Sequence, residues 1–199
     1  AAGTVAANLR HGAQRLAPRC DNPQLEAALL LAAVLDCARV GLFAHPEQQL
    51  ETKQMQHYES LVERRSQGEP LPYLTGQAPF FGRTFCVDER VLIPRPETEL
   101  LVERALEDLA VMREVDTATN GSLRAVDVGT GSGCIAVSLA LARTAFAVVA
   151  LDTSGEALAL ARENAEALGA AGRIAFVHAE LCDAVEPESL AGIVSNPPY

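Results

Sequence analysis

The chain has 199 residues, of which 49% are hydrophobic and 21% are charged. This composition excludes an intrinsically disordered protein, which has few apolar residues and a high net charge, and it predicts one large or two small globular domains. The formal net charge of −10 argues against nucleic acid as a direct partner, because phosphate backbones attract basic surfaces.

The cysteines and the apolar runs bear on metal binding and on the compartment. No C-x-x-C pair and no histidine at ligand spacing accompanies the cysteines, so neither a metal site nor a disulfide framework is expected, and most thiols are predicted to be small apolar core residues. The longest apolar run, residues 27–35, is too short to cross a membrane, and residues 1–20 lack the apolar core of a signal peptide. These features predict a cytoplasmic protein without membrane contact. The cysteines are Cys20, Cys37, Cys86, Cys134 and Cys182.

Residues 1–70 have helical patterns and few β-branched residues, which predicts a separate helical domain. Asn22 and Pro23 form a typical helix start, with the asparagine as cap and the proline at the first helical position. The apolar stretch that follows predicts a helix that stops at Gly41. A second helix is predicted within residues 46–67.

Residues 71–95 predict a proline-rich linker between two domains. Two short apolar runs, residues 85–87 and 91–93, predict a β-hairpin in which residues 88–90 form the turn. Pro96 is typical of the first turn of a helix, so a helix is predicted over residues 97–112.

Residues 96–199 predict an α/β domain. Short apolar strands alternate with helices, which is typical of a parallel, Rossmann-like sheet with helical crossovers. The predicted strands are residues 124–128, 146–151, 173–177 and 192–195, and the predicted helices are residues 134–142 and 155–168.

A glycine-rich turn joins the first predicted strand of this domain to the following helix. Gly129, Gly131 and Gly133 permit unusual backbone dihedrals and the close approach of a ligand. A dinucleotide-binding fold would have its third glycine one residue later, so the pattern departs from that class. Asp127 precedes the turn and would accept hydrogen bonds from a ligand's ammonium group or from loop amides. Asp152 ends the second strand, where its carboxylate would bind two ribose hydroxyls.

The two acids together favour an adenosine-type ligand over a plain structural turn, whereas the glycines alone also suit other nucleotide-binding proteins. Thr130 and Ser132 lie between the glycines and complete the predicted cofactor loop. Glu180 and Leu181 follow the third strand, a usual place for contacts to an adenine ring. An exposed acid and a core leucine explain this pair equally well.

The chain ends with Asn196, Pro197, Pro198 and Tyr199, directly after the fourth predicted strand. The two prolines fix the backbone and remove two N–H donors, so carbonyl groups are left to face a ligand. The Asn196 side chain adds an oxygen acceptor, and Tyr199 adds an aromatic face. In open α/β sheets ligands bind at this edge, so the tetrapeptide predicts a site for a planar NH2 group. A strand-terminating turn is the alternative.

Three segments, VDVGTGSG, LDTSGEALALARENA and IVSNPPY, together resemble class I methyltransferases that use S-adenosyl-L-methionine and act on planar amino nitrogens. Two upstream segments, GEPLPYLTGQAPFFG and VLIPRPETELLVERAL, narrow the resemblance to the HemK/PrmC family of protein-(glutamine-N5) methyltransferases. The resemblance extends from about residue 25 to the last residue.

This resemblance implies an activity and a partner. The enzyme would transfer a methyl group from S-adenosyl-L-methionine to the glutamine side chain of the Gly-Gly-Gln motif in peptide chain release factors, which act in translation termination. Asn196 and Pro197 would accept the two amide hydrogens, Tyr199 would pack on the amide plane, and Pro198 would complete the substrate site. The implied cofactor-binding residues are Asp127, Gly129, Thr130, Gly131, Ser132, Gly133, Asp152, Glu180, Leu181 and Asn196.

The resemblance also bears on the domains. Residues 1–70 would recognise the protein substrate, while Arg95 and Glu97 would either help to close the cofactor pocket or form a capped helix start. A complete sheet of this type has seven strands and four are predicted, so the C-terminal part of the methyltransferase domain is expected to be missing. Two alternatives remain. One is a nucleic-acid amino methyltransferase of the adenine-N6 type, and the other is a non-catalytic fragment that binds a protein through its helical domain.

Overall fold

The structure is a computed structural model that describes residues 3–118, 124–142, 147–180 and 190–197. The chain divides into two compact units, Ala1–Gly76 and Gln77–Tyr199. Each unit has a hydrophobic core of its own. Within the described ranges, no helix is long and apolar enough to cross a membrane.

The first unit is helical. Its helices are α1 (Val5–Leu16), α2 (Pro23–Leu35), α3 (Arg39–Ala44), α4 (Thr52–Ser66) and α5 (Leu71–Thr75). Their buried side chains form one core, which includes Leu16, Leu30, Leu31, Tyr58 and Leu61. The helical character predicted for this region is therefore observed.

The ends of α2 show which local signals the sequence carried. The predicted start is confirmed, because the Asn22 side chain accepts a hydrogen bond from the Leu25 N–H at 3.2 Å. The predicted stop at Gly41 is wrong. Asp36 ends the helix in the left-handed conformation, with φ of 47°, and Gly41 lies inside α3. The apolar pattern continues through this break, so periodicity alone does not reveal it.

The start of α4 is also later than predicted. Residues 46–50 pair with the N-terminal segment instead, since the N–H groups of Val5 and Leu50 donate to the carbonyls of Gln48 and Gly3. The helix then begins at Thr52 behind a reciprocal capping box between Glu51 and Gln54.

The second unit joins a β-hairpin to an α/β domain. Its elements are β1 (Gln77–Phe80), β2 (Arg83–Cys86), α6 (Glu97–Ala118), β3 (Arg124–Val128), α7 (Cys134–Leu141), β4 (Ala147–Asp152), α8 (Gly155–Ala167), a 3₁₀ turn (Ala171–Arg173), β5 (Ile174–His178) and β6 (Leu190–Ser195). The α/β elements agree with the predicted order. Helix α6 starts at the predicted residue and runs to residue 118, beyond the predicted end.

The hairpin is displaced from its predicted position. Strands β1 and β2 pair antiparallel through a tight turn at Phe81 and Gly82, which have φ of 49° and 71°, as hairpin turns of this length require. The Glu99 carboxylate stabilises the turn by accepting from the Phe81 N–H at 2.8 Å. Residues 88–90 do form a turn, in which the Val91 N–H donates to the Asp88 carbonyl at 3.2 Å and Arg90 binds the Asp88 carboxylate. Residues 91–93 form no strand, so the predicted hairpin around this turn is wrong. The sequence did not indicate a turn at Phe81 and Gly82, because a bulky aromatic residue is unusual in a turn that requires positive φ.

The four strands of the main sheet are parallel and follow the order β5-β4-β3-β6. Helices α6, α7 and α8 share one core with the side chains that face them from the strands, such as Ala125, Val148 and Val194. Successive strand residues point to opposite faces, and Val126, Val149 and Leu151 form a second cluster on the other face. β3 thus lies between β4 and β6. The turn that follows its carboxyl end is therefore flanked by the ends of both strands.

The cysteines only partly match expectation. Cys134 is buried and Cys20 is half-buried, but Cys37 and Cys86 are exposed. The prediction that most cysteines fill the core is therefore wrong for these last two, because each lies at the end of an element where its side chain meets solvent. Cys182 lies outside the described residues.

Candidate functional site

The site is built at the carboxyl edge of the main sheet. The last residue of β3, Val128, is in register with Leu151 of β4 and Ser195 of β6. The glycine turn, Asp152 and Asn196 follow these three positions directly. The sheet therefore brings together residues that the sequence separates by up to about 70 positions.

The three glycines of the turn have different roles. All three have positive φ, of 73°, 53° and 79° for Gly129, Gly131 and Gly133, a region that side chains disfavour. A Cβ atom at Gly129 or Gly131 would meet no heavy atom of the described structure within 4 Å, so their backbones face open space. At Gly133 it would lie 3.1 Å from the Cβ atom of Ala161. Gly133 caps the start of α7 and allows that helix to pack closely on α8.

Asp127 is fully buried beneath this turn. Its Oδ2 atom accepts from the Thr130 hydroxyl at 2.7 Å and from the Ala136 N–H at 3.1 Å. Its Oδ1 atom is buried and has no hydrogen-bond partner among the described residues. Burial, opposed by these two hydrogen bonds and reinforced by the charge of Asp152, raises the pKa of Asp127 to about 6. Such a carboxylate gains most from a cationic partner at Oδ1.

Asp152 is half-buried at the end of β4. One carboxylate oxygen accepts from the Gly131 N–H and the other from the Ser154 N–H, both at 2.9 Å. A carboxylate oxygen has two lone pairs, so each oxygen keeps one acceptor position. The side chain therefore fixes the glycine turn and still has the capacity to bind hydroxyl groups.

Thr130 and Ser132 support the turn from within, since both are buried. The Ser132 carbonyl accepts from the side-chain amide of Asn164 on α8 at 2.9 Å. The same amide binds both backbone groups of Cys86, accepting from its N–H at 2.7 Å and donating to its carbonyl at 2.9 Å. Sequence reasoning missed Asn164, because a polar residue in an amphipathic helix gives no sign of partners 32 and 78 positions away.

Asn196 and Pro197 line a cavity of about 350 Å³ together with the N-terminal end of α6 and the segment before it. The Asn196 side-chain NH2 donates to the Thr98 hydroxyl at 2.9 Å. Thr98 is a second residue that the sequence did not indicate as part of the site, although it follows Glu97 in the predicted first turn of α6. The remaining lining residues are Leu92, Arg95, Glu97, Thr98 and Leu101.

The other candidate residues divide into two groups. Glu180 is exposed just beyond β5, and Pro197 is exposed beside Asn196. Leu181, Pro198 and Tyr199 lie outside the described residues. Within the ranges that the structure describes, no group of three histidine, cysteine or acidic side chains is placed to hold a metal ion.

Comparison with known proteins matches each unit to a family. Residues 7–76 match the family described as PrmC N-terminal domain, and residues 109–199 match the family described as Methyltransferase small domain. The parallel sheet, the glycine turn after β3 and the acid that ends β4 thus belong to a Rossmann-like domain of the class I methyltransferase type. With the preceding helical unit, the chain belongs to the HemK/PrmC family.

Three curated relatives have the name release factor glutamine methyltransferase. The protein of Chlorobaculum tepidum is 45% identical over 91% of this chain and 62% of its own length. The protein of Nitratidesulfovibrio vulgaris is 43% identical over 98% of this chain and 64% of its own, and that of Koribacter versatilis is 45% identical over 89% and 60%. The chain therefore spans somewhat less than two thirds of the length of these relatives.

Among solved structures, the N-terminal domain of human METTL16 in complex with SAH matches with a TM-score of 0.46 and 20% identity. It covers 77% of this chain and 57% of that one. A similarity at this level supports no conclusion about function.

Proposed function

We propose that the protein transfers a methyl group from S-adenosyl-L-methionine to the side-chain amide nitrogen of the glutamine in the Gly-Gly-Gln motif of peptide chain release factors. The names of the relatives at 43–45% identity support this substrate. The observation that carries the proposal is the anchored Asn196 amide in the cavity at the carboxyl edge. Methylation of a release factor would act on translation termination, so the enzyme would work in the cytoplasm.

The residues at the glycine turn fit the cofactor. Asp127 Oδ1 is a buried acceptor without a partner in the described structure, and it would bind the ammonium group. Asp152 would bind the two ribose hydroxyls with its remaining lone pairs, while the open backbone of Gly129 and Gly131 permits close approach. The two acids also make this edge electrostatically suited to a cation. When bound, S-adenosyl-L-methionine supplies an electrophilic methyl group on a sulfonium centre.

Asn196 and Pro197 would prepare the substrate nitrogen. A glutamine amide is a poor nucleophile because its lone pair is delocalised into the carbonyl group. The Asn196 oxygen and the Pro197 carbonyl would accept the two amide hydrogens, which orients the nitrogen and stabilises the positive charge that grows on it. The nitrogen–methyl bond would form as the methyl–sulfur bond breaks, and one of the two amide protons would then be released to water. Tyr199 would pack on the amide plane, with Pro198 fixing the backbone between them. Alignment of this kind is worth an effective molarity of about 10⁵–10⁸ M.

The helical unit would recognise the release factor. It has a groove of about 400 Å³ between α1, α2 and α3, lined largely by apolar atoms. At its rim Phe43 is 63% exposed, and nearby in α3 Val40 is 77% exposed. Large apolar side chains that face solvent together are typical of protein interfaces. Recognition by this unit would leave the chemistry to residues 77–199.

The test is a comparison of Asn196→Ala and Asn196→Asp in the complete protein. The alanine variant loses the acceptor, so its single-turnover methylation rate should fall about 10²–10³-fold, while cofactor affinity changes little. The aspartate variant keeps an acceptor and should retain part of the activity. Cofactor binding by calorimetry serves as the control for folding. A wild-type rate in the alanine variant would contradict the proposed role.

A further inference from the structure

We propose that Thr98 is a positioning residue that holds the Asn196 side chain with its oxygen free to face the substrate. The inference rests on the proposed function, in which the Asn196 oxygen accepts a hydrogen from the substrate amide. Thr98 lies in the first turn of α6, 98 positions before Asn196.

Asn196 is held at its side chain and through the residue before it. Its NH2 group donates to the Thr98 hydroxyl at 2.9 Å. Thr98 itself is only 6% exposed, and its N–H donates to the Arg95 carbonyl at 3.0 Å. On the other side the Ser195 hydroxyl donates to the Val128 carbonyl at 2.9 Å. The backbone before Asn196 is thus fixed to β3, and its amide head is fixed to α6.

The chemistry explains why this contact matters. An asparagine amide has an acceptor oxygen and a donor NH2 group of nearly equal size, and rotation about the last side-chain bond exchanges them at low intrinsic cost. With the NH2 group turned to the substrate, two sets of donors would face each other and no hydrogen bond would form. In the observed orientation the Thr98 hydroxyl accepts from the NH2 group, so the Asn196 oxygen is left for the substrate.

Nuclear magnetic resonance tests the contact without any turnover. The side-chain amide signal of Asn196 is identified by its loss in Asn196→Asp. In Thr98→Val this signal should shift and its exchange with water should accelerate, because the acceptor is replaced by a methyl group of similar size. Thr98→Ser keeps the hydroxyl and should preserve the signal. An unchanged signal in the valine variant would overturn the proposal.

Single-turnover methylation of a release factor tests the consequence. Thr98→Val should lower the rate about 5-fold, the effect of one neutral hydrogen bond, with unchanged cofactor affinity, and Thr98→Ser should restore it. An equal loss of rate in Thr98→Val and Thr98→Ser would assign Thr98 a merely structural role and overturn the proposal.

The two readouts separate this inference from the proposed function. If the wild-type protein methylates no release factor, the proposed function fails, while the amide signal still decides whether Thr98 orients Asn196. If the wild-type protein is active and Thr98→Val matches it in rate, only the role of Thr98 fails.

Discussion

At the scale of single residues, the site depends on polar groups whose charges and hydrogen bonds are only partly satisfied within the protein. Asp127 is the clearest case, since one oxygen binds the turn and the other is buried without a partner among the described residues. The pKa of about 6 means that the carboxyl group takes up a proton just below neutral pH.

Cofactor affinity should therefore depend on pH through Asp127. The ammonium group of the cofactor prefers the ionised carboxylate, so affinity should fall as the pH drops through 6 and decrease about 10-fold between pH 7 and pH 5. Asp127→Asn should bind more weakly at pH 7 and lose this dependence. Calorimetry at the two pH values measures both effects, and equal affinity of the wild-type protein at both would contradict the assignment.

The same group affects stability with the opposite sign. An unfolded aspartate has a pKa of about 3.9, so the folded group binds its proton more tightly. Without cofactor, this contribution to stability is complete below pH 4 and is lost as the pH rises through about 6.

At the scale of elements, Asn164 connects three parts of the second unit. Its side chain joins α8 to the end of β2 and to the glycine turn through three hydrogen bonds. The residue is 1% exposed, so its side chain depends on these protein partners for its hydrogen bonds. The hairpin, which the sequence suggested as a linker, is in this way attached to the cofactor turn.

Asn164→Ala should therefore be strongly destabilising. It leaves the Ser132 carbonyl buried without a partner, at about 1–3 kcal/mol, and removes two partly buried hydrogen bonds to Cys86 at about 0.5–1.5 kcal/mol each. We therefore expect the free energy of unfolding of this unit to fall by about 2 kcal/mol or more. Glu166→Ala is the matched control, since it is an exposed residue of the same helix and should cost less than about 0.5 kcal/mol. Urea denaturation of both variants measures the difference. Equal stability of the two would show that the Asn164 contacts contribute little.

The elements also show what a sequence can predict here. Strand β3, the glycine turn and Asp152 follow from local patterns, because apolar alternation, glycine dihedrals and the ends of strands are encoded within a few residues. The contacts of Asn196 with Thr98 and of Asn164 with Cys86 span 98 and 78 positions. They depend on how elements pack, and no local pattern reveals them.

The position of the hairpin was predicted wrongly for a different reason. Residues 85–93 contain strong β-forming residues, and this pattern favoured strands there. The observed turn at Phe81 and Gly82 is indicated in the sequence by Gly82 alone. The contact from Glu99 that stabilises this turn comes from a helix 18 positions away, again beyond the reach of local patterns.

At the scale of the whole molecule, each unit has its own core, and the proposed roles divide in the same way. Deletion of residues 1–76 should leave cofactor affinity within about 3-fold of the original, because the contacts at the glycine turn are internal to the second unit. Methylation of an intact release factor should be lost. Calorimetry and a methylation assay with the truncated protein test both expectations. Full activity after the deletion would remove the recognition role from the helical unit.

The most direct test of the central claim is the location of the transferred methyl group. The complete protein is incubated with isotope-labelled S-adenosyl-L-methionine, a purified release factor and an excess of DNA and RNA, and the products are mapped by mass spectrometry. We expect one labelled methyl group on the side-chain amide nitrogen of the glutamine in the Gly-Gly-Gln motif and none on the nucleic acids. Label on adenine amino groups with an unmodified release factor would contradict the account.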